Sequence, residues 1–313
     1  MMRASVKYLV PLLLMFVVTV PAWAWNDKGH MVVARLTWRN LSETERAKAI
    51  EILRRHPHYG EYLSADRPEG YSEDEWVFMR AASWADWVRE HHKGEYHHGT
   101  WHYINYPFVP PGSDIDPKDH QPPADEENVV NQLAVCIAKI KKGSEADRAI
   151  YMCWLFHLVG DIHQPLHTTA MFSKQFPDGD QGGNLALVHI AGKTKLHFFW
   201  DGLLGKEVSV SSISSSVKEI EDMLKDDPKL IKEDLEANKT FEAWGKESFA
   251  LARKAAYLNG DLKVANETDK PKDEDIPQAP EDYGKNSGRT ARIQIGKAGQ
   301  RLAEQVRSVL PER

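Results

Sequence analysis

Residues 157–167 read His157-Leu-Val-Gly-Asp161-Ile-His163-Gln-Pro165-Leu-His167, and they close an apolar run in which Tyr151, Trp154, Leu155 and Leu158 recur at helical spacing. That periodicity predicts a helix on which His157 and Asp161 stand one turn apart on a single face, where both can grip one ion. Pro165 stops the helix, and the turn it enforces lets His167 reach a different point in space. A lone histidine here would read as a satisfied core residue. A histidine, an aspartate and a second histidine at one helix end read instead as metal ligands.

Helical signals extend outward on both sides of this block. Asn26 or Asp27 can cap a first helix carrying His30, Val33 and Leu36, and Ser42–Glu45 and Ser72–Glu75 have the form of capping boxes. The helix opened by Ser72 runs through Trp76, Met79, Arg80, Ser83, Trp84 and Trp87, with Asp86 and Arg89 three apart near its end. A Pro-rich loop from Pro107 to Pro123 leads to two helices flanking Gly143. Gly179–Gly183 reads as a flexible segment, and Leu185–Phe199 alternates around Gly192-Lys193 like a small β-hairpin. Further helices are predicted over Val217–Leu224, Phe241–Leu258 and Arg289–Leu310, with residues 260–287 as a charged surface excursion. The last helix is amphipathic and needs a partner, so the expectation is one all-α domain with a single β-hairpin.

Residues 1–24 have the layout of a cleaved secretory signal: Arg3 and Lys7, an apolar run from Tyr8 to Val20, then Ala22-Trp23-Ala24. The run is shorter than the roughly 20 apolar residues a membrane span needs. The expected mature chain is therefore exported, periplasmic or secreted, begins at Trp25, and has no stable membrane association; a monomer is favoured. Losing Arg3 and Lys7 moves the formal charge from −6 to −8, which excludes a broad basic face for nucleic acid. Any polyanion must be held locally, and bound metal ions supply such a local field. With only two cysteines, zinc held through thiolates is excluded as the main plan. Cys136 and Cys153 lie equally far from the turn at Lys142–Glu145, and either a disulfide or two buried thiols fits that placement.

The remaining ligand-type residues cluster in short aromatic settings: Trp25-Asn-Asp-Lys-Gly-His30, Ser83-Trp-Ala-Asp86, Trp101-His102-Tyr-Ile-Asn105 and His197-Phe-Phe-Trp-Asp201. Nitrogen and oxygen ligands in dry walls suit zinc. His197 and Asp201 repeat the spacing of His157 and Asp161, as though a similar half-site were made twice. In the order and spacing of Trp25 to His30, Trp84-Ala-Asp86, Trp101-His102-Tyr-Ile-Asn, His157-x3-Asp161-x5-His167, Gly182-Gly-Asn184 and Leu196-His197-x3-Asp201, the chain resembles the S1/P1 nucleases. These are exported zinc enzymes that cut single-stranded DNA and RNA and remove 3'-phosphates from nucleotides.

The resemblance implies an all-α fold holding three zinc ions. Asp86, His102, His157 and Asp161 would hold the first, and Asp161 would bridge to a second held by His30 and by the α-amino nitrogen and carbonyl oxygen of Trp25. His167, His197 and Asp201 would hold the third. An α-amino group has a reference pKa near 8 and gives its proton to a metal readily at neutral pH, which would make signal cleavage an activation step. The expected mechanism is attack on phosphorus by a hydroxide bridging the close zinc pair, with Arg89 neutralising charge on the phosphoryl oxygens. Tyr103 stands where family members stack a base. At Asn105 those members carry an aspartate, and an amide both donates and accepts where a carboxylate only accepts. His163 and Gln164 read as structural or supporting residues, and His56, His58, His91, His92, His97, His98, His120 and His189 as surface or loop residues. Two rivals are a zinc phospholipase C, whose ligand set ends in glutamate where this chain has Asp201, and a non-catalytic zinc-binding protein, whose sites would be closed.

Overall fold

A computed structural model describes residues 25–92, 94–123 and 126–311; the expected signal segment, residues 1–24, lies outside them. Helix α1 (Asp27–Asn40) is capped by Asn26, whose side-chain oxygen accepts from the Gly29 N–H at 3.1 Å. At the start of α2 (Glu43–Leu53) the Ser42–Glu45 capping box is complete in both directions. At α3 (Glu73–His91) only half of the expected box forms: Ser72 caps the Glu75 N–H, but the Glu75 carboxylate turns to Arg35 of α1 at 2.9 Å. A contact between helices outweighs the local one.

A short strand, β1 (Tyr106–Phe108), precedes α4 (Val129–Lys142) and α5 (Glu145–Ile162), which fold back on each other through Gly143-Ser144. Cys136 and Cys153 sit on this pair as free, buried thiols, and burial pushes the Cys153 thiol well above its usual range. Every residue of α5 from Met152 to Ile162 is buried. A helix apolar on all sides must be enclosed, and α1, α2, α3 and α4 all pack against it.

Strand β2 (Thr169–Met171) follows α5 and pairs parallel with β1, Tyr106 opposite Thr169. The expected hairpin is present as β3 (Ala186–His189) and β4 (Lys193–Lys195), with Leu187 opposite Lys195. It ends earlier than the alternation suggested, because Leu196 and Trp200, and His197 and Asp201, are buried at i,i+4 spacing on α6 (Leu196–Asp201). Nor is Gly179–Gly183 a slack linker. Asp180 within it is fully buried and accepts from the Met171 N–H at 2.8 Å and the Tyr257 hydroxyl at 2.7 Å.

The C-terminal part comprises α7 (Val210–Asp226), α8 (Lys229–Ala237), α9 (Phe241–Leu251), β5 (Ala265–Asn266) and α10 (Tyr283–Val309). Helix α8 was not anticipated, since Ile231 is its single buried residue and no apolar stripe announces it. The 260–287 stretch is less of an excursion than expected: β5 adds a third strand beside β3, Ala265 and Ile276 pack on Leu187, and α10 begins at Tyr283. Helix α10 packs along α1 and against α5, α7 and α8, which provides the partner its amphipathic face requires.

Candidate metal centre

The end of α5 supplies the hub. The His157 Nδ1–H donates to the Ala82 carbonyl of α3 at 2.8 Å, which fixes the tautomer and aims the Nε2 lone pair into the cluster. That Nε2 lies 3.2 Å from Asp161 Oδ2, 2.9 Å from His102 Nδ1 and 3.9 Å from Asp86 Oδ1. His102 Nδ1 is itself 3.1 Å from Asp161 Oδ2. On the other side His30, from α1, brings its Nε2 to 3.3 Å from Asp161 Oδ1. The two oxygens of one carboxylate thus face two ligand groups. Gly160 makes the approach possible, because a Cβ there would stand 2.6 Å from His30 Nδ1.

A third group forms beside these. The His167 Nδ1–H donates to the His102 carbonyl at 2.6 Å and the His197 Nδ1–H to the Gly182 carbonyl at 2.7 Å, so both Nε2 lone pairs face inward, 3.2 Å apart. Asp201 Oδ2 is 3.5 Å from His197 Nε2, while its Oδ1 is held by the Gln164 amide at 2.7 Å. The Ile104 N–H also donates to the His167 carbonyl at 2.8 Å, continuing the β1–β2 ladder to His102 and tying the first group to the third.

These residues fit divalent cations. Two imidazole lone pairs facing each other repel unless a cation lies between them, and the edge of a zinc tetrahedron with bonds of about 2.0–2.1 Å is roughly 3.3 Å. Both nitrogens of His30, both oxygens of Asp86, Asp161 Oδ1 and Asp201 Oδ2 are buried without hydrogen-bond partners. Uncompensated burial of that kind is costly, and a bound cation removes the cost. Within the protein alone, burial opposes charge on His157, but Asp161 and Asp86 outweigh it and lift the imidazole to about 9. Burial opposes charge on Asp161 as well, but the imidazoles of His157, His102 and His30 around it hold it well below the usual carboxylate range. Burial, with His157 adding to it, lowers His30 to about 4, and burial pushes Asp201 well up.

Around this core, Arg89 is buried with its Nη2 3.7 Å from Asp86 Oδ1. Tyr103 and Asn105 are half-buried on the segment between His102 and β1. Trp25 is fully buried against the first turn of α1, where a Cβ on Gly29 would come within 2.7 Å of its own Cβ. His163 stands apart: its Nδ1–H donates to the Val159 carbonyl at 2.7 Å and its Nε2 accepts from Arg301 at 2.8 Å, so both nitrogens are committed. His56 and His58, expected on the surface, are buried around Trp84. His58 approaches Glu61 and His92 in a fourth grouping of ligand-type atoms. Its Nδ1, however, accepts from the Trp84 indole N–H at 3.1 Å, which leaves the proton on Nε2, the reverse of the tautomer set at His157, His167 and His197. Gly160 and the Ala82 and Gly182 carbonyls were missed in the sequence, since their roles depend on distant partners.

A sequence profile of the S1/P1 nucleases matches residues 25–311. The chain belongs to the S1/P1 nuclease family. Endonuclease 2 of Arabidopsis thaliana is 27% identical over 218 residues, covering 64% of this chain and 63% of that protein. Nuclease S1 of Aspergillus oryzae is 29% identical over 206 residues, covering 64% and 62%, and Endonuclease 4 of Arabidopsis thaliana is 24% identical over 198 residues, covering 58% and 56%. The chain thus spans less than two thirds of the length of these relatives. The S1/P1 profile takes in all three ligand groups as well as α7 to α10. Among the described residues of this S1/P1 family member, no helix is long and apolar enough to cross a membrane.

Proposed function

We propose that this chain is an exported zinc-dependent nuclease and 3'-nucleotidase. It cleaves single-stranded DNA and RNA to 5'-phosphorylated products and removes phosphate from 3'-phosphorylated nucleotides, acting as a monomer with one catalytic domain over residues 25–313. The observation that best supports this reading is Asp161, with Oδ1 toward His30 at 3.3 Å and Oδ2 toward His102 and His157 at 3.1 and 3.2 Å. A carboxylate held in that way suits two cations side by side, the arrangement that clamps both oxygens of an in-line phosphoryl displacement.

Asp86, His102, His157 and Asp161 would hold one zinc ion, His30, Asp161 and the Trp25 terminus a second, and His167, His197 and Asp201 a third. When bound, zinc supplies the Lewis acidity that makes water nucleophilic toward phosphorus near neutral pH. Asp161 would offer one oxygen to each of two ions, and the carbonyls of Ala82, His102 and Gly182 hold the imidazoles that complete the groups. Arg89, always charged and buried beside Asp86, directs its donors to the phosphoryl oxygens, where negative charge grows. Tyr103 offers a ring for base stacking, worth about 1–3 kcal/mol per base, and Asn105 presents both a donor and an acceptor to the base edge.

The decisive experiment measures acid-soluble nucleotides released from single-stranded DNA by the mature protein, with and without chelator, beside a short-chain phosphatidylcholine control. Chelator-sensitive release from DNA is the expected result. Activity on the lipid alone overturns the reading in favour of a phospholipase, and inactivity on both substrates favours a zinc-binding protein.

A further inference from the structure

We propose that Asn26 and Lys28 form a latch that fastens the mature N-terminus to the turn after α6, and that this latch couples the ion at His30 to the ion at Asp201. The inference rests on the reading of Trp25 as an N-terminal ligand. Three hydrogen bonds cross from residues 26–28 to residues 201–205. The Asn26 backbone N–H donates to the Asp201 carbonyl at 3.3 Å, the Asn26 side-chain amide to the Gly205 carbonyl at 2.9 Å, and the Lys28 ammonium, buried, to the Leu204 carbonyl at 2.6 Å. The other end of the Asn26 side chain caps α1 through the Gly29 N–H. One residue therefore ties the arm both to the helix bearing His30 and to the turn beginning at Asp201.

Chain termini stay mobile unless something ties them down. Once residues 1–24 are gone, Trp25 has chain on one side only, and the latch holds the residue next to its amine. Lys28 provides the strongest of the three contacts, because a charged donor on a buried carbonyl makes a shorter and stronger bond than a neutral one. Asp201 serves both systems. Its main-chain carbonyl receives Asn26, while its side chain belongs to the His167 and His197 group and is braced by Gln164. An ion held by His167, His197 and Asp201 would fix the turn on which the arm docks, and by linkage each of the two sites would raise the affinity of the other by the same factor.

The test counts zinc ions bound by the mature protein, by native mass spectrometry and by titration of the metal-free form. Lys28→Met is expected to retain two ions and to bind the one at His30 about tenfold or more weakly, the usual penalty for losing a residue that supports a ligand. Its circular dichroism should match the parent, and Lys28→Arg should restore the affinity. Asp201→Asn should weaken the His30 ion in addition to its own. Should Lys28→Met fail to fold, Asn26→Ser keeps a side-chain oxygen for the helix cap and removes the amide donor to Gly205 without adding charge, and it too should bind the ion at His30 more weakly. Three ions held with parental affinity by Lys28→Met, or by Asn26→Ser in its place, overturn the latch. A protein carrying one extra residue before Trp25 separates the two ideas. If that extended form binds all three ions as tightly as the mature one, the N-terminal ligand itself is refuted; if only the extension costs an ion, the latch alone fails.

Discussion

At the scale of single residues, Gly160 shows how packing overrides local preference. In the middle of a helix, Gly→Ala ordinarily gains about 1 kcal/mol, yet here the new Cβ would stand 2.6 Å from His30 Nδ1. Gly160→Ala should therefore lower the melting temperature of the metal-free protein, since overpacking a closed site costs about 1–3 kcal/mol, and zinc bound at His30 and nuclease activity should fall at least tenfold. Equal metal content and activity in the variant would show that the His30 ring has room to move. The same eleven residues show what a sequence reveals at this scale. His157 and Asp161 were legible because their partnership is a matter of helical spacing. The exclusion of His163 became firm only with Arg301 placed on its Nε2, a partner on α10 that no local pattern announces. His56 and His58 were misjudged for a related reason: a histidine buried among Trp84 and its neighbours looks the same in sequence as one on a loop.

At the scale of elements, long periodic helices were read well and short elements defined by their partners were not. Helix α5 announced itself through its apolar period, and α10 through its amphipathic face. The β1–β2 ladder, which carries His102 to His167, is parallel and three residues long on each side, so nothing in either segment predicts the other. The hairpin was extended too far because β4 passes into α6 with no turn residue between Lys195 and Leu196, and burial of His197 and Asp201 on one face decided for the helix. The start of α5 offers a test of local stabilisation separate from the site. Ser144 accepts from the Asp147 N–H at 3.2 Å, and the Asp147 carboxylate returns to Ser144. Ser144→Ala should cost about 1 kcal/mol in denaturant unfolding, with zinc content unchanged, since the cap lies at the opposite end of α5 from Asp161. Loss of a zinc ion along with the cap would mean that the helix moves as a rigid lever.

At the scale of the whole molecule, an ionic network built on the buried Lys297 and Arg301 stands behind the ligand hub and joins four helices. Glu247 of α9 pairs with Arg301 of α10 at 2.7 Å and with Lys297 at 2.5 Å; Lys297 also reaches Asp234 of α8 at 2.8 Å, and Arg301 reaches His163 at the end of α5. Burial opposes ionisation of Glu247, but Arg301 and Lys297 outweigh it and hold the carboxyl down at about 2, against an ordinary value of 4.5. A depressed carboxylate contributes stability that is fully present above its unfolded pKa and is lost as the pH falls through the folded one. The network's contribution should therefore be complete above about pH 4.5 and decline toward pH 2. Glu247→Gln leaves Lys297 and Arg301 without their shared carboxylate, and at neutral pH it should destabilise the metal-free protein by about 3–5 kcal/mol, the usual result of removing one partner of a buried pair. Urea unfolding of chelated protein as a function of pH checks this. The stability curves of parent and variant should lie far apart at pH 7 and converge in acid, because protonating Glu247 removes from the parent what the variant already lacks. Parallel curves would mean that Glu247 keeps an ordinary pKa and that packing of α9 against α10, not charge, holds this side of the hub.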